Sequence, residues 1–426
     1  MIDHQKHHRQ LKRIFQNHHI KMGRNIRKIQ DHLHGRKPSS GLNINLYETV
    51  AQIPSDEWNS VNQDNVLLSP EYLKAVEDTS PKGMKSYYAI HYENSKPVMI
   101  SYYQMLKVNR ALHEKISPEP EVSTRNFIVR IHDSFAEKLN FNMLICGNAL
   151  LSGENGFSYL PGLDRETVYL GISESLRRIK DRLKGESTID IILIKDFSVK
   201  NEGPGDIFPR FHFQKFSSGP NMVVPIRKEW HSFEDYTKSM KSKYRRRVKS
   251  SLKKGRDLIK KSLTYEELSD STIRKEIYEL YLEVVNRAKF KLFALDIDFF
   301  AGLKKQLQDN FMFDLYYAEK RIVGFTTRIF NGDVMEGYTH GIKYDLNRRY
   351  ELYQNILYDD IKVAIENKCT QINLGRTSIA MKSSVGAIAD ELTFFISLKN
   401  PVSNHILKAI KFFLKPSSEI CRNPFA

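Results

Sequence analysis

The chain has 426 residues, 41% hydrophobic and 27% charged, the balance of a soluble globular protein long enough for two ordinary domains. No apolar run of about 18 residues occurs, which excludes a membrane-spanning helix. Cys146, Cys369 and Cys421 are too few and too scattered for a disulfide framework and fit a reducing cytoplasm. The net charge of +16 is concentrated in residues 1–40, with ten Lys/Arg against Asp3 and Asp31, and in residues 238–261, with twelve against Asp257 alone. The remainder is slightly acidic, so the basic segments point to an anionic partner.

Residues 1–40 form a basic arm holding half of the 14 histidines. Leu11, Ile14, Phe15, Ile26, Ile29 and Leu33 predict one or two amphipathic helices suited to an anionic membrane surface, the alternative being a solvated arm. His7, His8, His18 and His19 lack Cys or carboxylate partners at ligand spacing, so no metal is expected. The N-terminus has no short apolar signal-peptide core, and the expected location is the cytoplasm, peripheral to the inner membrane surface.

Residues 41–225 form a first half. Strands are predicted at Tyr87–Tyr92, Lys96–Val108 and Phe141–Cys146, a helix at Glu166–Leu183, and a strand at Ile189–Ile194. Residues 226–310 connect the halves through a long basic helix at Lys241–Lys261 and helices at Ser271–Ala288 and Ile297–Asp309. Residues 311–400 carry strands Met312–Glu319, Ile322–Phe330 and Val334–His340, a helix marked by Tyr353, Leu357, Ile361, Ala364 and Ile365, and a strand at Gln371–Leu374. The same order, three strands, helix, strand, occurs twice, which predicts an internal duplication. Residues 401–426 form a tail whose Asn404–Lys415 stretch is again basic and amphipathic.

Several pieces recur in a known family: Tyr244-Arg245-Arg246-Arg247, Pro220-Asn221-Met222-Val223-Val224 ahead of Trp230, Arg321-Ile322-Val323-Gly324-Phe325, and Gly375, Lys382 and Gly386. Through them residues 45–400 resemble the GNAT-type acyltransferases of the peptidoglycan-biosynthesis/recognition group, relatives of Fem-type aminoacyltransferases. The resemblance implies an α/β (α+β) protein of two tandem GNAT folds, mixed sheets with flanking helices, an ester or thioester acyl donor and an amine acceptor. It implies acyl-CoA, or an acyl-carrier thioester, as donor. The Gly-containing loop that usually cradles the coenzyme A diphosphate is replaced by Asp345–Glu351, which has no glycine. Arg348, Arg349 and Tyr350 are the candidate donor-phosphate contacts there. Fem-type relatives lack such a loop and use aminoacyl-tRNA, so tRNA is the partner under the alternative reading. A third reading is a non-catalytic scaffold binding envelope precursors or anionic lipid.

Acyl transfer to an amine needs a base, oxyanion donors and a proton for the leaving group. In GNAT folds the donor carbonyl sits where two central strands diverge, which maps onto the end of Val334–His340 and the start of Gln371–Leu374. His340 is the favoured base because imidazole titrates near neutrality. Glu336 acting through water is the runner-up, and Tyr338 lies between them in the two-residue alternation of one strand face. Tyr350 or Tyr353 is a candidate acid, with Tyr353 also on the apolar helix stripe. Arg376 and Lys382 follow a strand end, where open α/β sheets place ligands. Arg245 and Arg246 on the basic helix are candidate phosphate contacts. The expected reaction is N-acylation of a primary amine, a lipidic or cell-envelope precursor.

Overall fold

The computed structural model describes residues 38–109, 140–200, 203–287, 293–399 and 421–425. The expected helices of the arm before residue 38 and the amphipathic stretch Asn404–Lys415 lie outside the described residues. In chain order the main elements of the first half are β1 (Asn43–Tyr47), α1 (Ser55–Asn62), α2 (Pro70–Asp78), β2 (Met84–Glu93), β3 (Lys96–Asn109), β4 (Asn140–Cys146), β5 (Phe157–Tyr159), α3 (Arg165–Arg182), β6 (Ile191–Ser198) and β7 (Gln214–Pro225). Then follow α4 (Phe233–Lys238), α5 (Ser242–Lys254), β8 (Ile259–Ser262), α6 (Ser271–Arg287) and α7 (Phe299–Leu307). The second half continues with β9 (Phe311–Ala318), β10 (Arg321–Asn331), β11 (Val334–Ile342), α8 (Tyr344–Tyr350), α9 (Leu352–Glu366), β12 (Gln371–Asn373), α10 (Ile379–Ser384) and β13 (Ile388–Leu398).

Corresponding hairpins use corresponding turns. Asn94-Ser95 between β2 and β3, and Glu319-Lys320 between β9 and β10, all have positive φ. Two left-handed central residues match the right-handed twist of the flanking strands. Helix α3 starts where the Asp164 side chain accepts from the Thr167 amide at 3.0 Å, and it ends in Lys180 and Arg182. Asp164→Ala should cost about 1 kcal/mol, read as a lower urea midpoint at unchanged slope; an unchanged midpoint would show that the cap contributes nothing.

All the strands join in one mixed sheet, ordered β1-β2-β3-β4-β6-β13-β7-β12-β11-β10-β9-β8, with β5 against β3. The order reads alike from either end. β4 and β6 are parallel, as are β11 and β12. At the centre, β13 pairs antiparallel with both β6 and β7, and β7 pairs antiparallel with β12. Each half therefore lends its last strand across the middle: β7 reaches the second half and β13 returns to the first. Stacked Phe216 and Phe394 rings, 5.5 Å apart, mark the central pair.

One face of the sheet is filled by α3 in the first half, over Leu144, Cys146, Ile194 and Phe395, and by α9 in the second, over Met335 and Ile372. On the other face, α1, α2, α6 and α7 share a single apolar core with β2, β3, β9 and β10. The halves meet there: a Cβ on Gly302 of α7 would lie 2.9 Å from the Thr79 methyl beyond α2. Beneath this helical layer lies the cavity described below. The C-terminal residues dock separately, with Phe425 between Trp230 and Tyr236 and directly under Gly386, where a Cβ would collide with the ring.

Two expectations are corrected. The basic helix stops at Lys254, not Lys261: Gly255 caps it, and the Asn355 amide donates to the Ser251 carbonyl of its last turn at 3.0 Å. The chain then turns, and Ile259–Ser262 adds an edge strand to β9. The stretch Asp345–Glu351 is not a loop: it is most of α8, closed by Glu351 in the left-handed region at φ 47°.

Candidate active site

Strands β11 and β12 run parallel through Val334–Gln371, Met335–Ile372 and Glu336–Asn373 and then part. β11 continues along β10, whereas β12 ends and the chain turns at Gly375, whose φ of +74° is left-handed. Immediately past the parting, the β10–β11 register slips: Arg328 faces Gly337 and Thr327 faces Thr339, leaving Tyr338 as the extra residue of a bulge. A bulge interrupts ladder pairing and re-aims side chains. Here it opens on a cavity of about 560 Å³ across the central strands, from β4 to β11.

Glu336, Tyr338, His340, Arg376 and Lys382 all line this cavity. The Asn373 amide donates to Glu336 at 2.7 Å, but burial dominates and pushes the carboxyl up to about 7. Burial, reinforced by the Lys382 charge, holds His340 down at about 4, and its ring packs 4.9 Å from that of Tyr353. The Tyr338 hydroxyl meets that of Tyr72, and the side-chain amide oxygen of Asn221 has no hydrogen-bond partner among the described residues. Lys382 is buried on α10, donates to the carbonyls of Leu374 and Gly375, and is pushed down to about 7 by burial. It thereby fixes the turn that separates β12 from β11.

Lys195, Asp196, Asn148 and Tyr72 were not singled out from the sequence. Lys195 donates to the carbonyls of Asn148 at 2.6 Å and Leu151 at 2.5 Å and ion-pairs with Asp196 at 2.8 Å. Arg376 of the second half ion-pairs with the same buried Asp196. The Asn148 amide donates in turn to the Tyr72 hydroxyl at 2.8 Å, linking α2 to the sheet. A signal existed: Lys195-Asp196 directly follows the run Ile189–Ile194 expected as a strand, as Arg376 follows Gln371–Leu374 in the second half, although β6 itself runs on to Ser198.

The remaining candidates lie elsewhere. Arg245 donates to the carbonyls of Met240 at 2.7 Å and Lys238 at 3.2 Å, tying α4 to α5. Arg246 is exposed on α5, and Arg348 is exposed on α8. Arg349 and Tyr350 both engage Glu319, at 2.8 and 3.2 Å. None of the five lines the cavity. The start of α9 is also closed. Leu352, Tyr353, Gln354 and Asn355 are buried, the Tyr353 amide is taken by the Asn347 side chain at 3.0 Å, and Glu351 binds Ser251 and Lys254 of α5. A coenzyme A diphosphate needs open amides at a helix start, so the residues present do not fit that group there. The placement gives no support to a donor-phosphate role for Arg348, Arg349 and Tyr350.

No protein-family model and no curated protein matches the sequence. Among solved structures, FemX is similar over 85% of this chain and 100% of its own, with a TM-score of 0.51 at 11% identity. A tandem GNAT protein from the clavulanic acid biosynthesis pathway covers 84% and 99%, at TM-score 0.49 and 8% identity. The C-terminal domain of a putative lysylphosphatidylglycerol synthetase from Agrobacterium fabrum covers 84% and 96%, at 0.46 and 10%. At such identities the likeness is one of fold. The chain shares the fold of FemX, with two like-ordered α/β halves joined through one mixed sheet.

Proposed function

We propose that this protein is an N-acyltransferase that moves an acyl group from a thioester to a primary amine in the central cavity, the amine being a lipidic or envelope-precursor molecule. The observation that carries the reading is Glu336: a buried carboxyl, raised to about 7, beside the parting of β11 and β12. A base titrating near the operating pH is the efficient choice, and His340, held near 4, is the weaker one. Glu336 takes a proton from the ammonium, and the freed nitrogen attacks the acyl carbon. The C–N bond forms, the C–S bond breaks, and the second nitrogen proton passes to the departing thiolate. The backbone at the Tyr338 bulge supplies the amide for the oxyanion. Lys382 keeps the Leu374–Gly375 turn in place beneath it.

Mass spectrometry of lipids and muropeptides from a strain lacking the gene tests this reading. Loss of an N-acylated lipid is expected; a shortened peptide cross-bridge would instead assign the protein to the tRNA-dependent route.

The basic helix α5 suits an anionic membrane. Lys243, Arg246, Lys249 and Lys253 are exposed and form no ion pair with another described residue, and Leu252 beside them is 43% exposed. Aromatics are not interleaved as in single-strand nucleic-acid binders. Lys249→Glu with Lys253→Glu should weaken binding to phosphatidylglycerol vesicles about thirtyfold at low salt, an effect that shrinks as salt screens it. Equal binding by variant and wild type would rule the membrane role out.

A further inference from the structure

The cavity has two unlike walls. Its second-half side carries Glu336, His340 and Lys382, whereas its first-half side is mostly aliphatic, broken by Ser152, Lys195, Asp196 and Asn221. Ile145 on β4 pairs with Leu193 on β6, and Leu193 pairs with Ile396 on β13, giving a row of three aliphatic side chains across three adjacent strands. Met143 and Phe394, two residues away along β4 and β13, extend the row on the same face. The alternate residues Leu144, Ile194 and Phe395 point the other way, into the core under α3. Leu193, Phe394 and Ile396 are only half-buried and belong to none of the apolar clusters among the described residues, while Met143 and Ile145 beside them are buried without joining one. Strands about 4.8 Å apart make this row a flat strip about 10 Å across. At its end, the Lys195 ammonium is already satisfied by two carbonyls and Asp196, so the strip offers no free charge to a polar ligand.

We infer that the first half is a chain-binding subsite: the strip formed by Ile145, Leu193 and Ile396 holds an unbranched hydrocarbon chain of one substrate, with its reactive end at Glu336. The inference rests on the acyl-transfer reading for which end reacts, and it assigns the first half to substrate selection. It also supplies what the closed start of α9 lacks, because a donor or acceptor held by its chain needs no diphosphate cradle. The chemistry is the same whether the chain belongs to the acyl donor or to the amine.

Calorimetric titration of the full-length protein distinguishes the two sources without requiring turnover. One series is the straight-chain primary amines from butyl to dodecyl, kept below their aggregation concentrations; the other is S-acyl-N-acetylcysteamines of the same lengths. In at least one series Kd should fall about fourfold for each added methylene, the gain expected for a fully buried CH₂. The series that shows the gradient names the source. Leu193→Trp and Ile396→Trp, which fill the strip, should end that gradient at shorter chains. No gain with length in either wild-type series overturns the inference, whatever the variants do; so does a gradient unchanged in two folded variants. A failure of acyl transfer with the gradient intact would overturn the proposed reaction and leave the subsite standing.

Discussion

Glu336→Gln is expected to slow amide formation by about 10²–10⁴-fold, the usual contribution of a positioned general base, while making the protein more resistant to heat at pH 8. The two effects have one cause. Burial raises the carboxyl from an ordinary 4.5 to about 7, so the folded state holds a proton that the unfolded chain has already released. Between those values stability falls as pH rises, and above pH 7 the full penalty of a buried carboxylate is present. Gln keeps an oxygen to accept from Asn373 and removes the ionisation. The variant should therefore melt above wild type at pH 8 and alongside it at pH 4.5. Merely structural damage would lower both melting temperatures. Lost activity without the gain at pH 8 would mean that Glu336 is not a buried titrating base.

Arg328→Ala should destabilise the fold by about 3–5 kcal/mol, the cost of stranding buried charge. Arg328 of β10 is fully buried and binds Asp314 of β9 at 2.5 Å and Asp360 of α9 at 2.7 Å. Burial opposes its charge, yet Asp360, Tyr316 and Asp314 hold it ionised. The cluster anchors the central helix to the sheet behind the site, and Asp360 also favours the ammonium of Lys382. Removing the guanidinium leaves two carboxylates without their partner. The deficit should shrink in acid, where Asp360, pushed up by burial, is protonated, and it should be recovered largely when Asp314 and Asp360 are also replaced by apolar residues. A loss below about 1 kcal/mol at neutral pH, read from urea denaturation, would show that the cluster is not a charged anchor.

Much of the second half was legible because its signals are local. The two-residue alternation of β9, β10 and β11, the stripe on α9 and the strand-end cluster of Glu336, Arg376 and Lys382 each follow from neighbours in sequence. The strand exchange was not. β13 settles between β6 and β7 through pairings such as Leu392–Ser198, between residues far apart in the chain, and no periodicity announces a partner so distant. The end of α5 was missed for a similar reason: Arg and Lys favour helix, and the Asn355 side chain that meets its last turn comes from a distant part of the chain. Alternation also put Glu336, Tyr338 and His340 on one face without revealing the bulge at Tyr338, which depends on the partner strand. Nor does imidazole's ordinary titration near neutrality reveal the burial and the Lys382 charge that hold His340 near 4.

The most direct test is whether the purified chain releases thiol from an S-acyl-N-acetylcysteamine only when a primary amine is present. Thiol should appear in step with amide identified by mass, at a rate that rises with pH through about 7 and levels off once Glu336 is ionised. Release of thiol without amide, or amide formation untouched by Glu336→Gln, would contradict acyl transfer at this site.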